Sequence, residues 1–457
     1  MVRSKVLLQD TLRILVEEKR YSTIKDMILT MNPSDLAALF DSVDEKTLPV
    51  LFRLLPRELA GDVFPETERD TQEALIRAFS DNELKQILED LFADDAADLV
   101  EEMPANVASR ILSQADSTLR NEINQILKYP EDSAGSVMTT EFVRLNEFMS
   151  VSQSLDYIRQ VGLDKETVYT CYVTRNEKLI ATVAAKDLLV AKDMDTLISE
   201  IMDERIISVV TTTDREEVSK LFKKYNLIAL PVVDADNRLA GIITFDDVID
   251  FMVEETSEDI AIMSGQTPYE KPYINSTPFE LYLHRIPWLM ILMVSATFTG
   301  MIISGFENAL AAQVVLTAFI PMLMDTGGNS GSQSSVTIIR ALSLGDIEFK
   351  DLPKVILKEL VTALLCGISL SIVCFIKLLL IDYLLLGNTG VTIPVALSVS
   401  STVLLTVLVA KTVGCTLPVL AKKIGLDPAV MASPFITTVV DALSLLIYFG
   451  IATLILF

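Results

Sequence analysis

Apolar segments long enough to cross a lipid bilayer occupy the last third of the chain, and they constrain its fold more than any other feature. A spanning helix needs about 20 predominantly apolar residues. Five segments meet this requirement if the polar continuation of the second is included, and they cover residues 286–306, 309–324, 355–381, 393–420 and 434–457. The sequence therefore predicts an α-helical transmembrane domain of five spans over residues 285–457.

Charge separates this domain from the rest of the chain. The sequence contains 38 basic and 62 acidic residues, which gives a net charge of −24. Residues 285–457 contain nine of each sign, so the other 29 basic and 53 acidic residues lie in residues 1–284. A mean hydropathy of +0.42 is too high for a wholly soluble chain. We therefore expect a multidomain membrane protein with an acidic, water-exposed N-terminal part.

Lys and Arg in the short connections predict the orientation. Arg285 precedes the first span, four basic residues lie between the second and third spans, and Lys422 and Lys423 lie between the fourth and fifth. The opposite connections contain no Lys or Arg. Because cytoplasmic loops carry an excess of these residues, residues 1–284 are expected in the cytosol and the C-terminus outside the cytoplasmic membrane. The first thirty residues contain no secretory apolar region, in agreement with this orientation.

Residues 1–129 are predicted to form an all-α N domain with an internal repeat. The segment 55–64 is echoed by 103–112, and 35–40 resembles 95–100. Helical hairpins that repeat in this way stack into a superhelix, in which each repeat buries its apolar face against its neighbours.

From residue 136 the pattern changes to short strands that alternate with helices, which predicts an α/β region. Two units are visible, 136–200 and 201–255, and they open on Val137-Met-Thr139 and Ile201-Met-Asp203. With the stretch LPVVDADNRLAGIITFDD, which ends at Asp247, they resemble a tandem pair of CBS domains. Such pairs sense adenine nucleotides or metal ions.

The CBS resemblance also implies a nucleotide motif, in which a hydroxyl residue three positions before an Asp holds a ribose. The second unit matches it with Thr244 and Asp247, whereas the first unit has Ala184 before Asp187. One cleft for ATP is the resulting expectation. The alternative is that Thr244 is the N-cap of the following helix.

An acidic run leads from the second CBS unit into a connecting segment, residues 256–284. Four of these acids share one helical face, where like charges repel. Either the helix is solvated on its surface, or bound cations relieve the repulsion. The acids are Asp246, Asp247, Asp250, Glu254, Glu255, Glu258 and Asp259.

Two aspartates, Asp325 and Asp441, lie within apolar segments. An ionised carboxylate at the bilayer centre costs at least ~2.5–3.5 kcal/mol, so such acids usually face a bundle interior, a water-filled cavity or an ion. Pro321 and the glycines 327, 328 and 331 near Asp325 predict a break in the helix with exposed carbonyls, which lipid tolerates only beside a cavity or inside protein. The alternative is a glycine motif for helix packing.

The segment FIPMLMDTGGNSGSQS (319–334) and the segment TTVVDALSLLIY (437–448) resemble the MgtE family of magnesium channels and transporters, and the resemblance extends over the whole chain. It implies a homodimer in the lipid bilayer, with a Mg²⁺ pore between the second and fifth spans of both protomers. The residues at the family's pore positions are Asp441, Gly328 and Asn329. Asp325 departs from relatives that have Gly, and adds a second acidic ring.

The same resemblance implies regulation, because cytosolic Mg²⁺ bridges acids of the N domain, the CBS pair and the connecting "plug" helix and holds the pore shut. The matching positions are Asp94, Asp98, Glu216, Asp247, Asp250, Glu255, Glu258, Asp259 and Asp427. The residue types agree independently, since many carboxylates with one His and no Cys cluster suit Mg²⁺, Ca²⁺ or Mn²⁺ rather than Zn²⁺ or Cu²⁺.

Other function classes stay open at this point. The chain could be a CBS-regulated transporter or exchanger of another divalent cation (Mn²⁺, Co²⁺ or Ca²⁺), or a Mg²⁺ sensor that transports nothing. An enzyme is not expected, because no phosphate-binding Gly-rich loop, His-based acid–base pair or nucleophile motif is present. No nucleic-acid partner is expected. Lys411, inside the fourth span, either pairs with a pore acid or extends toward the cytosolic face.

Overall fold

The computed structural model describes residues 11–456, except residues 13, 17, 270–272 and 275. The C-terminal residue, whose location outside the membrane is predicted, is not among the described residues. The chain forms two compact units, Met1–Met252 and Val253–Phe457.

The first unit begins with short α-helices, each of which buries one face. On helix Asp81–Leu88 the buried side chains are Leu84, Ile87 and Leu88, and the helix begins at a capping box in which Ser80 and Glu83 bond each other's backbone N–H groups. The helices are α1 (Tyr21–Ile28), α2 (Pro33–Phe40), α3 (Leu48–Phe52), α4 (Arg57–Val63), α5 (Arg69–Ala78), α6 (Asp81–Leu88), α7 (Ala93–Glu102), α8 (Ala105–Gln114) and α9 (Ser117–Ile126).

Aromatic contacts and ion pairs join successive helices of this repeat. The ring of Phe52 lies 6.0 Å from that of Phe40 and 5.5 Å from that of Phe79. On the surface, Arg57 Nε lies 2.8 Å from Asp90 Oδ2, a partner 33 positions along the chain. The predicted all-α repeat is confirmed, and its contacts run mainly between neighbouring hairpins.

Two three-stranded sheets follow, and they are built alike. In each sheet the first strand is parallel to the second, and the second is antiparallel to the third. The strands are β1 (Phe142–Leu145), β2 (Thr167–Arg175) and β3 (Lys178–Ala184) in one sheet, and β4 (Val209–Val210), β5 (Ala229–Val233) and β6 (Leu239–Thr244) in the other. The helices are α10 (Val151–Val161), α11 (Ala185–Val190), α12 (Ile198–Ile201), α13 (Arg215–Tyr225) and α14 (Phe245–Met263). This confirms the predicted α/β pair.

Backbone bonds join the segment before the first sheet to the second sheet. The N–H of Thr139 donates to the carbonyl of Ile242 (2.8 Å), and the N–H of Ile242 donates back to Thr139 (2.9 Å). Gly241 permits this approach, because a Cβ there would lie 2.6 Å from the Thr139 carbonyl oxygen. The segment before the first sheet is therefore fixed against the last strand of the second.

The second unit is a bundle of long helices. Within the part of the chain that the structure describes, four segments are long and apolar enough to cross a membrane: Pro278–Gly305, Phe349–Leu385, Ile393–Lys423 and Pro428–Leu456. The helices are α15 (Pro278–Gly305), α16 (Glu307–Ala312), α17 (Ile320–Ser343), α18 (Leu352–Lys377), α19 (Ile393–Lys423) and α20 (Ser433–Leu456). The π-helical segment Leu378–Leu385 continues α18, and Lys377 Nζ lies 2.7 Å from Asp382 Oδ2 there.

The second predicted span has different limits from those expected. Residues 309–319 contain the end of α16 and the 3₁₀ segment Val314–Phe319, and the long helix α17 begins at Ile320. Although α17 has 24 residues, it is more polar than the other four segments, and one face of it is buried against α19 and α20.

The predicted break in this helix is wrong. α17 is continuous, because Pro321 lies in its first turn, where a missing N–H costs no intrahelical bond. Its glycines permit close packing instead. A Cβ at Gly327 would lie 2.6 Å from Ser444 Oγ, and a Cβ at Gly414 on α19 would lie 2.3 Å from the Gly331 carbonyl oxygen. The packing role that was the alternative for these glycines is the one the structure shows.

We predict that Gly414→Ala lowers the thermal unfolding temperature of the detergent-purified protein, because the methyl group must separate α17 from α19. Overpacking of this kind costs about 1–3 kcal/mol. Gly300→Ala is the control, since a Cβ at Gly300 meets no heavy atom of the described residues within 4 Å. Equal unfolding temperatures for the two variants would contradict the packing role.

Candidate cation sites

A cavity of about 170 Å³ lies between α17 and α20. The residues that line it are Met324, Asp325, Gly328, Asn329, Thr437 and Asp441. All four residues that were predicted to line a pore, on two helices more than a hundred residues apart, therefore share one cavity.

Helical spacing places these groups on one face of each helix. Asp325 and Asn329 are four positions apart on α17, as Thr437 and Asp441 are on α20, and residues at that spacing lie one above the other. Gly328 contributes space, because a Cβ there would lie 3.0 Å from Thr437 Cγ2. The absence of a side chain at Gly328 lets the two helices approach and keeps the cavity lining polar.

The oxygen atoms of this cavity suit a hard cation. Asn329 Nδ2 donates to Asp325 Oδ1 at 3.0 Å, which fixes the carboxylate. Because the amide nitrogen faces Asp325 Oδ1, the amide oxygen of Asn329 points away from that atom. Two carboxylates and one amide oxygen are the ligand types that Mg²⁺ and Ca²⁺ take. Asp325 and Asn329 are exposed in the single chain, so one chain alone does not enclose the site.

A second acidic site lies in the first unit, at the N-terminus of α7 and the start of α14. Asp94 Oδ1 is buried and has no hydrogen-bond partner among the described residues. Burial, together with the charges of Asp95 and Asp247, raises the pKa of Asp94 well above its ordinary range. A buried carboxyl group with no donor nearby is unfavourable as an anion unless a cation approaches it.

The pKa values of neighbouring acids are raised for the same reasons. Desolvation and the charge of Asp247 raise the pKa of Asp95 to about 6 and that of Glu166 to about 7. The Asp98 side chain is exposed, yet desolvation by the surrounding protein atoms and the charge of Asp95 raise its pKa to about 7. We name the set Asp94, Asp95, Asp98, Glu166 and Asp247 the acidic cluster.

The structure brings together only part of the predicted regulatory set. Asp94, Asp98 and Asp247 belong to the acidic cluster, and the charge of Asp250 contributes to the raised pKa of Asp247, which comes mainly from desolvation. Glu216 lies on α13 and pairs with Lys220 at 3.2 Å. The remaining predicted ligands, Glu255, Glu258, Asp259 and Asp427, lie in the second unit.

Asp427 has a structural contact in that unit. Its Oδ1 accepts the N–H of Ala429 at 2.8 Å and caps the 3₁₀ segment Pro428–Met431. Among the described residues, no group of three or more His, Cys, Asp or Glu side chains is arranged to hold one metal ion. The acids thus accumulate negative charge without forming a compact, ready-made ligand set.

Sequence reasoning missed Asp95 and Glu166. Asp95 could have been found, because it directly follows Asp94 in the first turn of α7. Glu166 precedes β2, and no local pattern connects it to residues 70 positions earlier in the chain. Only the fold shows that its charge acts on Asp95 and Asp247.

The proposed nucleotide motif is internally bonded. The hydroxyl and the N–H of Thr244 both donate to Asp247 Oδ2, the latter at 3.2 Å. Thr244 directly precedes α14 and Asp247 is its third residue, so these bonds have the form of half a capping box. Thr244 thus occupies the N-cap position of α14 with its N–H bonded by Asp247, although its hydroxyl donates to Asp247 instead of accepting a backbone N–H.

A polar cavity with two carboxylates inside a membrane-type helix bundle, preceded by a helical repeat and a CBS pair, defines a membrane cation transporter with attached regulatory domains. The chain belongs to the MgtE family. Residues 320–451 match the family of divalent cation transporters of that name, residues 31–132 match the MgtE intracellular N domain, and residues 198–254 match the CBS domain.

Relatives cover the full length of the chain. The magnesium transporter MgtE of Thermus thermophilus is 35% identical over 98% of this chain and 98% of the relative. The magnesium transporter MgtE of Bacillus subtilis is 30% identical over 96% and 95%, respectively. The crystal structure of the cytosolic domain of the Mg²⁺ channel MgtE in complex with ATP is 33% identical, covers 53% of this chain and 99% of that chain, and superposes with a TM-score of 0.51. The predicted family is therefore confirmed.

The acidic cluster predicts how stability depends on pH. Because the folded pKa values of Asp95, Asp98 and Glu166 lie above their ordinary values, the folded state binds more protons than the unfolded state between about pH 4 and pH 7. The metal-free protein should therefore unfold at a temperature several degrees lower at about pH 8 than at about pH 5.

Thermal unfolding of the full-length protein in a chelator checks this expectation. Asp95→Asn should flatten the pH dependence, whereas Asp187→Asn, at the equivalent place in the first CBS unit and exposed, should not. A pH profile that is the same for Asp95→Asn and the wild type would count against the electrostatic strain of the cluster.

Proposed function

We propose that this protein imports Mg²⁺ across the cytoplasmic membrane through a channel or transport path that contains the cavity between α17 and α20. One observation carries the proposal: Asp325, Gly328, Asn329 and Asp441 line one polar cavity in a domain of apolar helices. The names of the full-length relatives, which are magnesium transporters, support the choice of ion.

The size of the cavity fits a hydrated ion. Mg²⁺ dehydrates reluctantly and usually keeps several waters while one or two carboxylates hold it. About 170 Å³, against roughly 30 Å³ for one water in the liquid, leaves room for the ion with part of its water shell. Asp441 and Asp325 would hold such an ion through their charge, and the Asn329 amide oxygen would accept bonds from its waters.

A homodimer would complete the path. The cavity side of α17 is exposed at Asp325 and Asn329 in the single chain, and the apolar window of α15 has no buried residue. A two-fold copy placed against this side would double Asp441 and give a pore with four carboxylates. The expected topology, with residues 1–284 in the cytosol and the C-terminus outside, puts the acidic N-terminal part on the side from which cytosolic Mg²⁺ acts.

For regulation, we propose that cytosolic Mg²⁺ neutralises the acidic cluster and thereby holds the pore shut. The buried and unpartnered Asp94 Oδ1 supports this, because a cation would remove its desolvation penalty. Hydrated ions can bridge acids that are too far apart for direct ligation, which agrees with the absence of a compact ligand set among the described residues. Glu216, Asp250 and the acids of the second unit, Glu255, Glu258, Asp259 and Asp427, belong to the same proposal.

The domain limits form part of this proposal: an N domain over 1–129, CBS domains over 136–200 and 201–255, a plug or connecting helix over 256–284, and a transmembrane domain over 285–457. In the structure, α14 runs through the limit at 255 and ends at Met263. Ile262 and Met263 pack there against Ile339, Ala429 and Ala432 of the same unit. This contact supports a plug whose position is coupled to that of the pore helix α17, which contains Ile339.

ATP is a second candidate ligand, since a solved relative binds it in its cytosolic domain. In this chain the Thr244 hydroxyl would have to release Asp247 before either could hold a ribose.

Transport of Mn²⁺, Co²⁺ or Ca²⁺ is the nearest alternative function, because carboxylate and amide ligands also suit those ions. Competition between these ions and Mg²⁺ for uptake distinguishes the alternatives.

Asp441→Asn tests the pore. Removal of the pore charge should lower Mg²⁺ uptake into liposomes by about tenfold or more, since an intramembrane cation loses its counter-charge. Asp346→Asn, an exposed acid of the same unit, serves as the control and should leave uptake unchanged. Normal uptake by the Asp441→Asn variant at equal amounts of reconstituted protein would remove the pore assignment.

Asp247→Asn combined with Asp250→Asn tests the regulation. Because these changes remove negative charge from the acidic cluster and its neighbour, we expect inhibition by cytosolic Mg²⁺ to require several-fold more Mg²⁺, while the maximal current stays near that of the wild type. Patch-clamp recording from reconstituted protein at increasing cytosolic Mg²⁺ measures both quantities, with Asp187→Asn as the matched control. An inhibition curve that does not move would refute the proposed role of these acids.

A further inference from the structure

A buried lysine lies within the helix bundle, on a helix that does not line the cavity of Asp325 and Asp441. Lys411 on α19 is 5% exposed, and it is the only Lys or Arg that is buried among the described residues. Among the described residues, its ammonium group forms no ion pair with Asp325 or Asp441. Instead, Nζ lies 3.4 Å from the hydroxyl of Ser334 on α17. The pairing with a pore acid that the sequence offered for Lys411 is therefore not formed within this chain, and burial places the ammonium group against Ser334.

Ser334 connects this lysine to an acid on a third helix. Its hydroxyl, on a residue that is 2% exposed, donates to Glu359 Oε2 of α18 at 2.6 Å. The hydroxyl oxygen therefore faces the ammonium group while the hydroxyl proton faces the carboxylate. Lys411, Ser334 and Glu359 form a neutral network across three helices of the bundle.

Each charge of this network depends on the other. Lys411 is buried and Glu359 is half-buried, and the two charges meet through the Ser334 hydroxyl instead of by direct contact. Neutralisation of one charge leaves the other without its compensating partner, which is destabilising for a buried group. Replacement of both partners by neutral groups of similar volume is often tolerated. The pair thus gives a characteristic pattern, in which each single neutral variant is worse than the double one.

The network holds the helix that carries the cavity residues. Ser334 follows Asn329 by five residues, which is ~7.5 Å along the helix axis. The close contact of Gly331 with Gly414 lies between them and involves the same two helices, α17 and α19. A second hydroxyl, that of Ser335, donates to the Met431 carbonyl at 2.6 Å. The buried face of α17 is thus fixed about one and a half turns from Asn329 and about two and a half turns from Asp325.

We infer that Lys411 is a positioning residue for transport: with Glu359 as its counter-charge and Ser334 as the bridge, it fixes the rotation and axial position of α17, and with them the positions of Asp325 and Asn329. The consequence for transport rests on the proposed function. The charge coupling itself does not, because it concerns only the fold of the bundle.

The test uses Lys411→Met, Glu359→Gln and the double variant in the full-length protein, with Mg²⁺ uptake into liposomes and thermal unfolding in detergent as readouts. We expect each single variant to lower the unfolding temperature and to reduce uptake by about tenfold or more, and the double variant to recover to within about threefold of the wild type. A double variant that is as poor as the worse single variant in both readouts overturns the inference. Lys411→Arg, which keeps the charge, should retain more uptake than Lys411→Met.

Ser334→Ala separates positioning from charge compensation, because it removes the bridge and keeps both charges. We expect it to raise the Mg²⁺ concentration at half-maximal uptake several-fold, since Asp325 and Asn329 lose their fixed positions. Ser330→Ala, at another buried serine of α17, is the matched control and should behave like the wild type. Identical uptake curves for Ser334→Ala and the wild type overturn the positioning role.

Wild type and Asp441→Asn are measured in the same series, so that the two proposals can fail separately. If the wild type transports Mg²⁺ and the double variant shows no recovery, the inference fails and the proposed function stands. If the wild type itself carries no Mg²⁺, the proposed function fails, and the unfolding temperatures of the two single charge variants and the double variant alone decide whether Lys411 and Glu359 are coupled.

Discussion

A helix as polar as α17 can lie in a bilayer only if other helices surround it, and the organisation of the membrane unit depends on this constraint. Lipid offers no hydrogen bonds to the serines, Asn329 or Asp325 of that helix. The glycine contacts with α19 and α20 bring neighbouring backbones close enough to cover its buried face. Another face presents Asp325 and Asn329 to the cavity, so one helix provides both the packing surface and two of the proposed cation ligands.

The acids of the chain fall into two populations that obey the same electrostatics in different surroundings. In the membrane unit two carboxylates share a small cavity, whereas in the first unit the acidic cluster gathers around a buried oxygen atom of Asp94. Both arrangements are unfavourable in the absence of a cation, because desolvation and like charges each penalise ionised carboxylates. The proposed binding of cations at either place would relieve this electrostatic penalty.

Much of the fold was predictable from local patterns. Helical faces, strand alternation and internal repeats gave the N domain and the CBS pair, and the residues Asp325, Gly328, Asn329 and Asp441 do meet in one cavity. Local patterns failed where tertiary packing decides. The glycines of α17 predicted a break, but the neighbouring helices stabilise a continuous helix. Glu166 and the partners of Lys411 depend on contacts between distant segments, which no spacing within one element encodes.

The repeat of the N domain also bears on the order in which the chain acquires structure. Its ion pairs, such as Arg53 with Glu83 and Arg57 with Asp90, join residues 30 and 33 positions apart. Each hairpin therefore packs against the hairpin that precedes it in the chain. Folds with such local contacts form rapidly, and N-terminal domains fold first during synthesis. The acidic N domain can therefore fold completely before the first apolar helix leaves the ribosome. Its helices are then already packed against each other and do not form wrong contacts with the membrane segments.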